Sequence, residues 1–324
     1  MAKPILYLVI PCYNEQDVLP ISNKIFINKL ESLITNNTIS KDSKILFIND
    51  GSKDNTWLII NNLSKQNEHI IGITLSRNKG HQNALLAGLM TAMNNCDVAI
   101  SIDCDGQDDI NAIDEMLKKY TESNCEIVYA ARNNRKTDTF FKRNTALGFY
   151  KLMKMFNIDS VYNHADYRLL SNKALNALSE YKEVNLFLRG MIPLIGFKND
   201  IVYYDRSERL AGKTHYPLSK MINFAIDGIT SLSIKPMNII TTMGLISSFL
   251  SFIGLIVCIC LTCFIPEFTL MPIILATICL FGSLQLFTTG LIGIYIGKTY
   301  METKHRPRYI IENTTENAKY LQKY

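Results

Sequence analysis

Short apolar runs and longer mixed stretches alternate through the first part of the chain. Ile5–Ile10, Lys44–Asn49, Ile70–Ser76, Val98–Asp103 and Ile127–Ala131 are rich in Ile, Val and Leu and are the length of buried strands. Between them lie polar–apolar stretches of helical length, Asp54–Lys65 and Gln82–Asn94. In the second of these, Leu85, Leu86, Leu89 and Met93 recur at helical spacing. A β-α-β-α order predicts an α/β domain over residues 1–215 with a mostly parallel, Rossmann-like sheet. The pattern then changes. Over residues 216–235, Leu218, Met221, Ile222, Ala225, Ile229 and Leu232 form one apolar stripe, with Lys220, Asn223 and Asp227 off it. This predicts an amphipathic helix lying on a membrane surface, with packing on the soluble domain as the alternative. Residues 236–266 and 268–297 carry no charge and are separated by Glu267. A spanning helix needs about 20 apolar residues, so both stretches are expected to cross a membrane. Residues 298–324 are left as a tail.

Charge sets the expected orientation. The net charge of +5 is modest, but its distribution is uneven. Lys213, Lys220 and Lys235 precede the first span, and Lys298, Lys304, Arg306 and Arg308 follow the second. Basic flanks favour the cytoplasmic side, which predicts a multi-pass protein of the plasma (inner) membrane with both termini in the cytoplasm. The first ten residues read as a buried strand rather than a cleavable signal. Of the eight cysteines, Cys12, Cys96, Cys104 and Cys125 are scattered through the soluble part and Cys258, Cys260, Cys263 and Cys279 fall inside the spans, where Cys260 and Cys263 sit among Ile, Leu and Val; all read as small apolar residues of a reducing compartment.

Four polar loops follow four of the predicted strands: Pro11-Cys12-Tyr13-Asn14-Glu15, Asn49-Asp50-Gly51-Ser52-Lys53-Asp54, Ser76-Arg77-Asn78-Lys79-Gly80-His81 and Asp103-Cys104-Asp105-Gly106-Gln107. Ligands of parallel α/β sheets bind beyond the carboxyl ends of the strands, so the four loops predict one nucleotide pocket. Two carboxylates at i and i+2 in the last loop suit Mg²⁺ or Mn²⁺, which clamps a diphosphate.

At these residues the sequence resembles the polyisoprenyl-phosphate glycosyltransferases of the GT-A fold, which include dolichyl-phosphate mannose synthases and bacterial undecaprenyl-phosphate glycosyltransferases. The matching pieces are VIPCYNE (Val9–Glu15), NDGSKDNT (Asn49–Thr56), SRNKGHQNALLAGL (Ser76–Leu89), SIDCDGQD (Ser101–Asp108), DYRLLS (Asp166–Ser171), Arg189–Gly190, RSERLAGKTHYPLSK (Arg206–Lys220) and DGITSLSIKP (Asp227–Pro236). The resemblance implies that Pro11, Tyr13, Glu15 and Asp50 hold the nucleotide, and that Arg77 and Gly80 line the same pocket. It implies that Asp103 contacts the donor and that Asp105 and Gln107 ligate the metal. Asp166 matches a carboxylate often assigned as base, although orienting the acceptor and balancing Arg168 are equal alternatives. Arg206, Arg209 and Lys213, in an R-x-x-R-x-x-G-K pattern, would grip the acceptor phosphate, with Arg132, Arg135, Lys142 and Arg143 as the next candidates. The chain departs from the family at Gly106, usually apolar, and at Asp109 and Ile110, usually prolines.

The function so implied is an inverting transfer of glucose or N-acetylglucosamine from a UDP-sugar to undecaprenyl phosphate, for cell-envelope glycan modification. The implied partners are donor, lipid acceptor and membrane, with a homo-oligomer (a tetramer in relatives), a flippase and a downstream glycosyltransferase, and no nucleic acid. Two alternatives stand beside it. A processive polysaccharide synthase shares the donor loops but usually carries Q-x-x-R-W, whereas the one tryptophan here is Trp57. A non-catalytic lipid-binding scaffold has no need of Asp103, Asp105 and Gln107.

Overall fold

The computed structural model describes residues 3–133, 155–156, 164–207, 226–264 and 271–323. Strand β1 (Leu6–Cys12), helix α1 (Leu19–Thr35), β2 (Lys44–Asn49), α2 (Thr56–Gln66), β3 (Ile70–Leu75), α3 (His81–Met93) and β4 (Val98–Ser101) follow the predicted alternation. Then come α4 (Ala112–Ser123), β5 (Ile127–Arg132), β6 (His164–Ser171), α5 (Asn172–Ser179), α6 (Leu188–Leu194) and β7 (Asn199–Tyr204). The chain closes with α7 (Lys235–Phe264), α8 (Met271–Thr303), β8 (Ile311–Thr314) and a 3₁₀ segment (Glu316–Lys323).

One eight-stranded sheet runs in the order β7-β5-β6-β4-β1-β2-β3-β8. The pairs β1–β2, β1–β4, β2–β3 and β5–β7 are parallel. Strand β6 is antiparallel to both β4 and β5, and β8 is antiparallel to β3. The two-residue period of β1 divides the core. Leu6, Leu8 and Ile10 face α1, α2 and α4, packing with Leu19, Phe26, Ile60 and Met116. Tyr7 and Val9 face the opposite layer of α3, α5 and α6, packing with Leu86, Leu175 and Leu188. Burial on both faces explains why these strands read as continuous apolar runs.

Two boundaries differ from the sequence expectation. Strand β4 ends at Ser101 rather than Asp103, because its last antiparallel partner is Arg168. That frees Asp103 to turn into the loop. The residues after 297 are not only a tail: α8 continues to Thr303, and the chain then returns as β8 to cover the outer edge of β3. Thr315 seals the join, its hydroxyl accepting the Gly72 N–H at 3.0 Å.

Helices α7 and α8 are long and apolar enough to cross a membrane, with mean hydropathy 1.5 over Lys235–Gly254 and 1.4 over Leu280–Thr303. Neither window is buried inside the chain, unlike a core helix of a soluble protein. Most of the expected amphipathic stretch lies outside the described residues. Its end, a short helix over residues 226–232, packs Ile229 and Leu232 against Phe187.

Candidate active site

The parallel register places the loop after β1 beside the loop after β2, with Cys12 opposite Asn49. The two are laced together. The Asn14 N–H donates to Ser52 Oγ at 3.0 Å, Lys53 N–H to Asn14 Oδ1 at 2.9 Å, and Glu15 N–H to Thr56 Oγ1 at 2.9 Å. Pro11 is buried beneath this lacing, while the Tyr13 ring is exposed at the rim.

The third loop is drawn in by a carboxylate. Asp50 accepts the Lys79 N–H on Oδ1 at 2.7 Å and the Gly80 N–H on Oδ2 at 2.9 Å. Burial pushes its pKa up, and the two N–H donors only partly offset this. Gly51, at φ +61°, lets the backbones touch: a Cβ there would stand 2.4 Å from the Arg77 carbonyl carbon. The Arg77 side chain itself is exposed.

The acidic loop after β4 is fixed from two strands. Tyr167 on β6 donates its hydroxyl to the Asp109 carbonyl at 3.1 Å. Beyond β7, the Ser207 N–H donates to the Gln107 carbonyl at 2.9 Å, and the Gln107 amide donates to the Ser207 carbonyl at 3.4 Å. Asp105 is buried, with Oδ1 accepting the Gln107 N–H at 3.1 Å and Oδ2 3.9 Å from Arg206. Asp108, also buried, accepts the Tyr204 hydroxyl at 2.5 Å and lies 3.9 Å from both Arg132 and Arg206. Its desolvation, with Asp103 nearby, raises its pKa to about 6.

A second charged cluster adjoins Asp103. Asp166 on β6 pairs with the fully buried Arg168, and binds Arg189 of α6 through Nε (3.3 Å) and Nη2 (3.0 Å). His81, at the start of α3, sits 3.4 Å from Asp166 and 3.6 Å from Asp103. Burial would raise the pKa of Asp166, but Arg189, His81 and Arg168 hold it well below the ordinary carboxylate range. Burial would lower that of His81, but Asp166 and Asp103 raise it to about 9. Both neighbouring carboxylates favour the protonated imidazole.

The structure thus joins Asp50 to Gly80, Asp105 to Arg206, and Asp103 to Asp166 through His81. Arg209, Lys213, Arg135, Lys142 and Arg143 lie outside the described residues. Three residues of the cluster went unassigned in the sequence reading: His81, Asp108 and Arg189. All three stood inside quoted motifs, Asp108 as the last residue of SIDCDGQD, so position was the available signal.

The donor set fits a hard divalent ion at an open site. Asp105 offers a buried carboxylate and Gln107 an amide oxygen, and Mg²⁺ characteristically takes one or two carboxylates plus substrate phosphates. Among the described residues no three His, Cys, Asp or Glu side chains form a closed cage. Asp108 keeps one buried oxygen without a hydrogen-bond partner beside this loop.

Comparison with known proteins identifies the family. The family model for glycosyl transferase family 2 matches residues 7–179, which holds all four loops and Asp166. An uncharacterized glycosyltransferase of Bacillus subtilis (strain 168), YkoT, is 47% identical over 316 residues, covering 96% of this chain and 92% of that protein. The bactoprenol glucosyl transferase of Shigella phage SfV is 36% identical over 308 residues, covering 94% and 97%. Among solved structures, glucosyl-3-phosphoglycerate synthase from Mycobacterium tuberculosis, in complex with Mn²⁺, UDP and phosphoglyceric acid, matches with a TM-score of 0.45 at 14% identity, covering 71% of this chain and 77% of that one. With its domain matched by the family model and its relatives matched nearly end to end, the chain belongs to glycosyl transferase family 2 and is a glycosyltransferase.

Proposed function

We propose that this enzyme transfers glucose from UDP-glucose to undecaprenyl phosphate, with inversion, at the cytoplasmic face of the plasma membrane. The observation that carries the reading is the continuity of the chain. The loops that carry Asp50, Asp103 and Asp105 and the two membrane-length helices belong to one chain, over a span that aligns with bactoprenol glucosyl transferases.

Asp50, with the backbone of Lys79 and Gly80, forms a polar cradle for the nucleotide, with Pro11, Tyr13, Glu15 and Arg77 around it. Asp105 and Gln107 would hold Mg²⁺ or Mn²⁺, which supplies positive charge to a departing diphosphate. Arg206, which faces Asp105 and Asp108, together with Arg209 and Lys213, grips phosphate oxygens. A phosphate monoester has its second pKa at about 6, so the attacking oxygen is already largely ionised at neutral pH. No strong base is required of the protein. Asp166, ion-paired and held well below its ordinary pKa, is a weak base. It serves better as the anchor that orients His81 and Arg189 against Asp103. Direct attack on the anomeric carbon from the face opposite the diphosphate then inverts it.

The test offers a panel of UDP- and GDP-sugars with undecaprenyl phosphate to the purified protein and identifies lipid products by mass. A hexosyl-phosphoundecaprenol from UDP-glucose is expected. A product formed with another sugar, or none with this lipid, overturns the assignment.

A further inference from the structure

The C-terminal end of α8 is fastened both to the 226–233 segment and to the catalytic domain. Tyr295, Lys298 and Glu302 share one face of that helix. Tyr295 donates its hydroxyl to the Ser233 carbonyl at 2.6 Å, and Lys298 reaches the Asp227 carbonyl at 3.0 Å and Ser231 Oγ at 2.8 Å. Glu302, in the last turn, binds the loop before α6. Its carboxylate accepts the Val184 N–H at 2.8 and 3.0 Å, the Asn185 N–H at 2.8 Å and the Asn185 side-chain amide at 2.5 Å.

That loop leads into the active site within a few residues. Phe187 is buried against Ile229, and a Cβ on Gly190 would lie 2.0 Å from Leu232, so α6 is seated on the same 226–232 segment that Lys298 holds. Leu188 N–H is pinned to Gln82 Oε1 at 2.8 Å. The next residue, Arg189, is the one that binds Asp166 through two nitrogens. A single carboxylate on a membrane-length helix therefore fixes the start of the helix that supplies a cation to the charged cluster.

We propose that Glu302 is a positioning residue for the transfer reaction. Acting through the 184–187 loop and α6, it sets Arg189 on Asp166 and so holds the Asp103–His81–Asp166 cluster in register with the membrane helix. The carboxylate also replaces water on backbone donors that a loop leaves open, which makes the register rigid. The inference rests on the glycosyl transfer proposed above.

The experiment uses the full-length protein in lipid nanodiscs, with Glu302→Ala, Glu302→Gln, Arg189→Ala and the Arg189→Ala/Glu302→Ala double variant. Measured are kcat with undecaprenyl phosphate, lipid-independent hydrolysis of UDP-glucose, UDP affinity by calorimetry, and hydrogen exchange of residues 184–192. Misplacement of catalytic groups by about 1 Å predicts a loss of kcat on the order of ten- to a hundred-fold in Glu302→Ala, with UDP affinity unchanged and faster exchange at 184–192. Glu302→Gln keeps an acceptor oxygen and recovers part of the rate. The double variant is no slower than Arg189→Ala, because both substitutions break one chain of contacts. Wild-type kcat in Glu302→Ala, or losses that multiply in the double variant, overturn the inference. If no lipid product forms but hydrolysis follows the same cycle, the acceptor assignment falls and the role of Glu302 stands.

Discussion

Substitution of Gly51 by alanine isolates the contact that joins the second and third loops. A Cβ there would meet the Arg77 carbonyl carbon at 2.4 Å, the Asn78 nitrogen at 2.5 Å and the Arg77 Cα at 2.7 Å, all backbone atoms. Relief to the 3.4 Å of ordinary contact moves the 77–80 loop by about 1 Å. That shift stretches the bonds from Lys79 and Gly80 to Asp50, now 2.7 and 2.9 Å, towards the limit of hydrogen bonding. Loss of one such charge-assisted bond costs about 1.5–3 kcal/mol, and the left-handed backbone of Gly51 adds about 1–2 kcal/mol for alanine. The expected destabilisation is roughly 3–5 kcal/mol, read as a fall in Tm of roughly 6–20 °C at ~2–4 °C per kcal/mol. Gly80 is the internal control. Its φ is +85°, but nothing lies within 4 Å of a Cβ there. Gly80→Ala therefore carries backbone strain alone, about 1–3 kcal/mol. Thermal unfolding of both variants in detergent, with UDP binding by calorimetry, measures the difference. Equal Tm losses, or Gly51→Ala with wild-type stability and UDP affinity, refute the backbone-clash reasoning.

Three further outcomes are expected. Asp105→Asn should retain fold and membrane insertion but lose most turnover, and EDTA should abolish wild-type activity until Mg²⁺ or Mn²⁺ is restored; full activity in EDTA contradicts the assignment of Asp105 and Gln107. His81 has its folded pKa raised from 6.5 to about 9, so its stabilising contribution is complete below pH 6.5 and lost as pH rises towards about 9, screened in part because 44% of the side chain is exposed. The Tm of wild type relative to His81→Gln should fall across that window, and a flat difference from pH 6 to 10 would remove the ion-pair account. For topology, reporters fused before Met1 and after Tyr324 should both read as cytoplasmic and a cysteine beside Glu267 should label from outside, whereas opposite termini mean that one segment does not span.

The parallel half of the fold was legible because burial on both faces writes itself as apolar runs. Lys44–Asn49 matches its predicted limits, and β1, β3 and β5 lie within two residues of theirs. The antiparallel strands were not legible in that way. Strand β6 carries Asp166 and Arg168 in its interior, paired with each other and completed by Arg189 and His81 from other elements, so its pattern does not read as a buried strand. Strand β8 has four residues, Ile-Glu-Asn-Thr, and exists because β3 offers it an open edge. Within the candidate site, residues tied to strand ends could be proposed from position along the chain. The joining of His81, Arg189 and Asp166 could not, since α3, α6 and β6 meet only once the sheet is assembled.

The pairing of β8 with β3 bears on how the protein is made. Gly72 and Thr315, which bond across that seam, are 243 residues apart in the chain. At about 5–20 residues per second, synthesis leaves the Ile-Ile-Gly-Ile-Thr-Leu edge of β3 uncovered for roughly 10–50 s after it emerges. During that interval the intervening chain, including both apolar helices, must be synthesised, and the helices delivered to the bilayer. The edge strand is thus added last, after the anchor has left the ribosome. Until β8 arrives, the bare β3 edge and the exposed apolar helices are two aggregation hazards carried by one nascent chain.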